Sequence, residues 1–206
     1  MRPDIVVKLG GSLLPDRQRL ARVLKMIADS PMRVLVVPGG GVFADAVRTT
    51  QGQYGFSDAT AHDMAVLATH QMGLLLHGMQ PQLAPVSDTA RLSEAFGDGV
   101  QAVAMAGGFL GECDGEGLPR SWSATSDAIA AWLAVRLEAP MLTYVKTCAI
   151  PAEASLASLR DDGVLDPVCV DVLDGEAVDV QCFGPNDETA LRCLLLDVGG
   201  VSERSL

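Results

Sequence analysis

Two short β-branched runs near the start of the chain end in glycines and pass straight into a helical pattern. The first is I-V-V-K-L-G-G-S at residues 5–12, and the second is V-L-V-V-P-G-G-G at residues 34–41. Apolar runs this short and this β-branched read as strands buried on both faces, which requires helices above and below. Each junction also has a chemical meaning. Helix N-termini expose unpaired N–H groups and a partial positive charge. Glycines let that backbone approach an anion closely. Two such loops, one preceded by Lys8, read as two halves of a polyphosphate site, and that points to phosphoryl transfer.

The rest of the chain continues the alternation. A strand at 5–9 is followed by a helix at 16–28, where Leu20, Val23, Leu24 and Ile27 recur at helical spacing. A strand at 33–37 leads to a helix at 41–50, then a glycine-containing loop at 51–57. A long helix at 59–79 follows, with Ser57 or Asp58 as its N-cap. The pattern then gives a short helix at 87–96, a third strand at 100–105 and a loop rich in glycine and acid at 107–119. A helix at 126–137, a fourth strand at 141–145, a short helix at 153–160, a final strand at 178–183 and a final helix at 187–195 complete it. The expected architecture is one α/β domain over residues 1–206, a three-layer αβα sandwich with a mainly parallel central sheet. The 107–119 loop reads either as a lid or hairpin or as a plain solvent loop.

Charge narrows the function. The 206 residues carry a formal net charge of -11, which argues against nonspecific nucleic-acid binding and against an anionic membrane surface. Any anionic substrate then needs a local positive site, which Lys8 and the glycine loops would supply. Asp4 and Lys8 interrupt the only early apolar run, so no signal peptide is expected. No apolar stretch approaches the ~18 residues of a membrane span, and a cytoplasmic protein is the expectation. The five cysteines are odd in number and form no C-x-x-C, so reduced, packed thiols are expected rather than disulfides or zinc. His62, His70 and His77 fall on one predicted helix but lack the i, i+4 spacing of a metal pair, so no metal is expected there. Glu112, Asp114 and Glu116 form an acidic cluster without the calcium-loop pattern.

Three elements carry candidate chemistry. Lys8 closes a strand that otherwise reads as buried, and a lysine there must meet an anion or reach solvent. Gly39, Gly40 and Gly41 are costly in a regular element, so the run serves a tight turn or a close approach to an anion. Gly40 is taken to need a glycine-only conformation. The loop is neither G-x-G-x-x-G nor G-x-x-x-x-G-K-[ST], and Lys146-Thr147 lacks the glycines that precede a Walker ending. The third element is S-W-S-A-T-S-D-A-I-A-A-W-L-A at residues 121–134, where Thr125, Ser126 and Asp127 begin a helix. These residues suit any helix start. Asp127 can alternatively orient lysines beside a transferred phosphate, and Asp127→Asn would then slow turnover with little change in melting temperature.

Together, V-K-L-G-G-S, V-P-G-G-G and T-S-D-A (residues 7–12, 37–41 and 125–128) resemble the amino acid kinase superfamily, which includes acetylglutamate, aspartate and bacterial uridylate kinases. P-R-S-W-S-A-T-S-D and P-G-G-G-V-F-A-D-A-V-R (residues 119–127 and 38–48) are similar to segments of the branch that acts in methanofuran biosynthesis, whose acceptor is the phosphate of an aminomethylfuran methyl phosphate. The resemblance implies an ATP- and Mg2+-dependent kinase in one-carbon cofactor synthesis that forms a homo-oligomer. By the same resemblance Lys8, Gly10, Gly11 and Ser12 hold the donor phosphates, Gly39 to Gly41 bind the acceptor, and Asp127 orders the lysines. Thr143 and Lys146 fall in the nucleotide half. There the family commonly has T-D-V-D-G and this chain has T-Y-V-K-T, so Lys146 is either a donor-phosphate lysine or a mark of altered nucleotide binding. A uridylate-type kinase and a catalytically weak nucleotide-binding regulator are the alternatives.

Overall fold

The β-branched runs form the centre of a six-stranded sheet in the computed structural model of the chain, which describes residues 1–112 and 118–196. In chain order the elements are β1 (Ile5–Leu9), a 3-10 turn (Gly11–Leu13), α1 (Arg17–Ala28), β2 (Val34–Pro38), α2 (Gly41–Tyr54), α3 (Asp58–Met79), β3 (Leu83–Val86) and α4 (Thr89–Gly97). They continue as β4 (Gln101–Ala104), α5 (Ala106–Glu112), α6 (Ser126–Arg136), β5 (Met141–Val145), α7 (Leu156–Asp161), α8 (Pro167–Leu173), β6 (Asp179–Phe183) and α9 (Glu188–Leu196). Every strand pair is parallel, in the order β3-β4-β2-β1-β5-β6.

That order sets where a site can form. From β1 the chain moves to β2 on one side, then to the edge strand β3 and back to β4 between them, and crosses to the other side of β1 only with β5. The direction of winding therefore reverses between β1 and β5. Ligands of open α/β sheets bind outside the carboxyl ends of the strands at such a reversal.

Strand alternation divides the core into two layers. Val6, Leu142 and Tyr144 pack with Ala128, Ile129 and Leu133 of α6 and Cys169 of α8. Ile5, Val7, Leu9 and Val145 pack on the other face with Leu20, Val23 and Leu24 of α1 and Leu191 of α9. The three-layer αβα expectation stands, with the sheet wholly parallel.

Several boundaries differ from the sequence reading. β3 is absent from it, because L-A-P-V is short and holds Pro85. Proline has no N–H to give a ladder and is tolerated here because β3 is an edge strand. The 51–57 loop is shorter, since α2 runs on to Tyr54 and stops where Gly55 takes a left-handed φ of 70°. Ser57, not Asp58, caps α3 by accepting from Thr60 N. The first part of the 107–119 loop is α5, whose glycines masked its helical character. Residues 113–117, including Cys113, Asp114 and Glu116, lie outside the described residues, and the lid or hairpin expectation with them. α8, opened by Asp166 and Pro167, was also not foreseen.

Buried Gln101 holds the start of β2. Its Oε1 accepts from Val34 N at 2.7 Å, and its Nε2 donates to the carbonyls of Ser30 and Met32 at 2.9 Å. Gln101→Leu keeps the volume but removes all three bonds. It should cost about 1–3 kcal/mol for the polar groups left unpaired, read as a lower denaturant midpoint with the slope unchanged.

Candidate active site

The two-residue period of a strand brings the sequence-selected charges together. Lys8 follows Val6 on the face of β1 that meets α6, and its register partner on β5 is Tyr144. Lys146 is two residues beyond Tyr144, so it leaves β5 on the same face. α6 begins directly above, with Thr125 Oγ1 accepting from Asp127 N as the cap. Thr125, not Asp127, therefore does the capping, and the Asp127 carboxylate is left for the lysines. Lys8 Nζ is 2.7 Å from Asp127 Oδ1, and Lys146 Nζ is 2.6 Å from Oδ2. Lys8 approaches Oδ1 as an ion pair outside hydrogen-bond alignment, whereas Lys146 donates a directed bond to Oδ2 and another to Val164 O at 2.6 Å.

This cluster is nearly dry: Lys8 and Asp127 are each 5% exposed. Burial pushes Lys8 below the usual lysine value. The Asp127 charge opposes that shift and the Lys146 charge adds to it. Burial alone would raise Asp127, but the charges of the two lysines and the hydrogen bond from Lys146 outweigh it and hold the carboxyl below its usual range. Two cations share the one carboxylate that they both contact. Such an arrangement attracts a further anion and holds the cations still while it does so.

The glycine loops meet in front of the cluster. A Cβ on Gly11 would stand 2.2 Å from Gly41 N, and one on Gly39 would stand 2.6 Å from Gly11 N. The loops thus pack backbone to backbone. Gly41 is the residue that needs glycine, with φ +51°. Gly40 is in the ordinary right-handed region, at φ -72° and ψ -22°, so the glycine-only conformation expected at Gly40 belongs to its neighbour. A side chain at Gly40 is excluded instead by Ala44 Cβ, at 2.5 Å.

The N–H groups of Gly10 and Gly39 are bound to Val145 O and Leu9 O. They tie the loops to the strands, and the N–H groups that could meet an anion belong to the first turns that begin at Gly11 and Gly41. A Cβ on Gly10 would point to within 3.8 Å of Lys8 Nζ and 3.3 Å of Ser12 Oγ. Its absence opens the space before the ammonium, a cradle that fits phosphate oxygens. Ser12 is fixed there by a 3.1 Å bond from Thr147 Oγ1.

Thr143 is not brought to this cluster. It alternates with Tyr144 and so faces α1 and α9, buried at 1% exposure. Among the described residues, no group of three or more His, Cys, Asp or Glu could hold a metal ion.

A cavity of about 360 Å³ opens beside the loops, lined by Gly11, Ser12 and Gly39 to Gly41 and by residues the sequence reading assigned no role. Chief among these are Arg48, His62 and Trp122. The Arg48 guanidinium lies 4.4 Å from the Trp122 ring centre, and Trp122 Nε1 donates to Gln51 Oε1 at 2.7 Å. The segment that carries Trp122 is pinned again by the Arg120–Asp63 ion pair. Lys8, Asp127 and Lys146 do not line the cavity, whereas Gly11, Ser12, Thr125 and Ser126 beside them do. Arg19, buried in α1, was also missed. It donates to Lys146 O and Gly184 O at 2.8 and 2.9 Å and so anchors the exits of β5 and β6.

Comparison with known proteins agrees with this geometry. A profile described as the amino acid kinase family matches residues 4–148. Over 69 residues the chain is 33% identical to the (5-(aminomethyl)furan-3-yl)methyl phosphate kinase of Methanocaldococcus jannaschii, a stretch covering 33% of this chain and 32% of that protein. The match thus spans about a third of that relative's length. Among solved structures, the uridylate kinase from Archaeoglobus fulgidus superposes with a TM-score of 0.65 at 18% identity, covering 93% of this chain and 94% of that one. The UMP kinase from Bacillus anthracis gives 0.67 at 15%, covering 95% and 93%. An aspartate kinase from Synechocystis gives 0.65 at 16%, covering 87% of this chain and 37% of that one. At these identities the likeness is one of fold.

Burial changes what Asp127→Asn should do. Neutralising Asp127 leaves two ammonium groups together in a dry site, and breaking such a pair costs about 3–5 kcal/mol. Lys8→Met instead leaves Asp127 paired with Lys146 and should shift stability far less. The Asp127 contribution also carries a pH signature. Its folded pKa lies below the ordinary 3.8, so the stability it confers is full above that value and is lost as pH falls through the lower folded one. Wild type should therefore lose stability more steeply than Asp127→Asn below pH 3.8. Urea unfolding of the three proteins across pH checks both points; equal stability of the two variants would contradict the first, and parallel acid profiles of wild type and Asp127→Asn the second.

Proposed function

Since the chain belongs to the amino acid kinase family and is a phosphotransferase of that family, we propose that it transfers the terminal phosphoryl group of ATP to a phosphate monoester of the aminomethylfuran type. The observation that carries this reading is the buried Lys8–Asp127–Lys146 cluster, set against two glycine loops at the carboxyl ends of β1, β2 and β5. Phosphoryl transfer asks a protein mainly for position and charge. Lys8 and Lys146, held still by Asp127, meet the charge that spreads over the transferred group. Lys146 in place of the family acid is then a donor-phosphate lysine. The turns beginning at Gly11 and Gly41 bring N–H groups to the donor and acceptor phosphates. Mg2+, when carried on the nucleotide oxygens, would neutralise further charge there.

Both Asp127 oxygens are engaged by lysines, so Asp127 does not act as a base. None is needed: a phosphate monoester has its second pKa near ~6 and is already largely deprotonated at neutral pH. Arg48 supplies a cation for the acceptor phosphate, and Trp122 supplies a flat apolar face for its ring. The same pair would suit a nucleoside monophosphate, which is the second reading. A homo-oligomer completes the proposal, supported by Leu67 and Leu74, exposed two turns apart on α3. A cytoplasmic site of action follows from the use of ATP. No described helix is long and apolar enough to cross a membrane.

Turnover of ATP with (5-(aminomethyl)furan-3-yl)methyl phosphate, with UMP and with a phosphate-free alcohol tests this reading. The furan phosphate should be the preferred acceptor and the alcohol inert. A preference for UMP would select the second reading, and no turnover with any phosphate monoester would overturn both. Lys8→Ala should lower kcat by at least ~100-fold. Arg48→Ala should raise the acceptor KM by at least ~10-fold, the worth of one charge-assisted bond, with the ATP KM little changed.

A further inference from the structure

We propose that Asp166 is a positioning residue of this site: its single carboxylate starts two helices at once and thereby holds Asp127 between the two lysines. Asp166 Oδ1 accepts from Cys169 N at 2.6 Å, the cap of its own helix α8. Its Oδ2 accepts from Thr125 N at 3.0 Å, from Thr125 Oγ1 at 2.6 Å and from Ala128 N at 3.1 Å, all at the start of α6. Thr125 Oγ1 in turn accepts from Asp127 N. The first turn of α6, with Asp127 in it, therefore hangs on Asp166.

The same segment fastens the rest of the cluster. Val164 O accepts from Lys146 Nζ. The Tyr144 hydroxyl donates to Asp127 O at 3.2 Å and lies 2.8 Å from Cys169 Sγ. Burial pushes the Tyr144 phenol up, and the Cys169 thiol up to about 12, so this contact is between neutral groups and is a strut. Residues 164–169 lie beyond the 4–148 stretch that matches the family profile. The lysines and the aspartate come from the matched part of the chain, and the brace that sets their geometry comes from the segment C-terminal to it.

The effect on rate runs through Asp127 and so rests on the function proposed above. Displacing a positioned charge by a fraction of an ångström slows transfer without loosening substrate binding. Asp166 also acts through its charge, which raises Lys8. The charged groups facing Lys8 are Asp127 from α6, Lys146 beyond β5 and Asp166 at the start of α8. With the Asp166 charge removed, Lys8 loses its proton at lower pH.

The test compares Asp166→Asn with Asp88→Asn and Lys8→Ala in the intact chain, using ATP and the best acceptor of the panel. Asp88 caps α4 through Arg91 N at 2.7 Å and lies outside the site. Asp166→Asn should lower kcat about 10–100-fold, keep both KM values within about threefold, and move the alkaline limb of kcat to lower pH. Asp88→Asn, which keeps a capping side chain, should leave kcat and the limb in place. If Asp166→Asn does not fold, Thr125→Val against Thr125→Ser replaces it, the hydroxyl of serine restoring the rate that valine loses. Wild-type kcat and an unmoved limb in a folded Asp166→Asn, or equal rates for the Thr125 pair, would overturn the proposal while Lys8→Ala stays inactive. Full activity in Lys8→Ala would instead overturn the proposed function itself.

Discussion

One carboxylate between two buried ammonium groups is the constraint on which the rest of this structure depends. Asp127 is the anion that lets Lys8 exist inside the sheet layer and Lys146 at its edge. A buried ion group of this kind gives little net stability, because desolvation offsets most of the attraction. What it gives is fixed charge. Two ammonium groups sharing one contacting carboxylate, in a site nearly closed to water, are a standing attraction for an anion in a chain whose formal net charge is -11.

The surrounding elements can be understood as answers to that constraint. The parallel sheet places Lys8 and Lys146 on one face because β1 and β5 are neighbours in matched register. α6 must start directly over them, and Asp166 and Thr125 fix where it starts. The glycine loops close to backbone contact at Gly11 and Gly41, which brings the two turns proposed to hold the donor and acceptor phosphates within reach of one another. Arg19 holds the exits of β5 and β6 from beneath. On the far side, Arg48 and Trp122 furnish the cavity with a cation and a flat ring.

Much of this was legible in the residues, and the gaps have physical causes. β1 and β2 were visible because double-sided burial demands apolar β-branched runs. Lys8 was visible as the one charge in such a run. The Asp127–lysine contact could be suggested but not distinguished from capping, since aspartate serves both ends; the structure separates them by giving the cap to Thr125. The glycine run was legible as a close approach, yet which glycine needs a positive φ was not, because three in a row leave no side chain to report the backbone. Thr143 could not be excluded from the site without knowing which face of β5 meets α6. Arg48 and Trp122 stand inside the motifs that carry the family resemblance, but their meeting is a tertiary fact between α2 and the segment before α6. Asp166 and α8 were hidden because a seven-residue helix shows too little periodicity, although Asp before Pro is a helix-start signal.

If the cluster is built to hold phosphate, Lys146 is a working cation rather than a mark of altered nucleotide binding. Calorimetric titration of a non-hydrolysable ATP analogue with Mg2+ into wild type and Lys146→Met tests it most directly, with the melting temperature of each recorded. Loss of a charge-assisted bond to phosphate should weaken binding by at least ~10-fold in a variant that remains folded. Equal affinity in a folded Lys146→Met would contradict the claim.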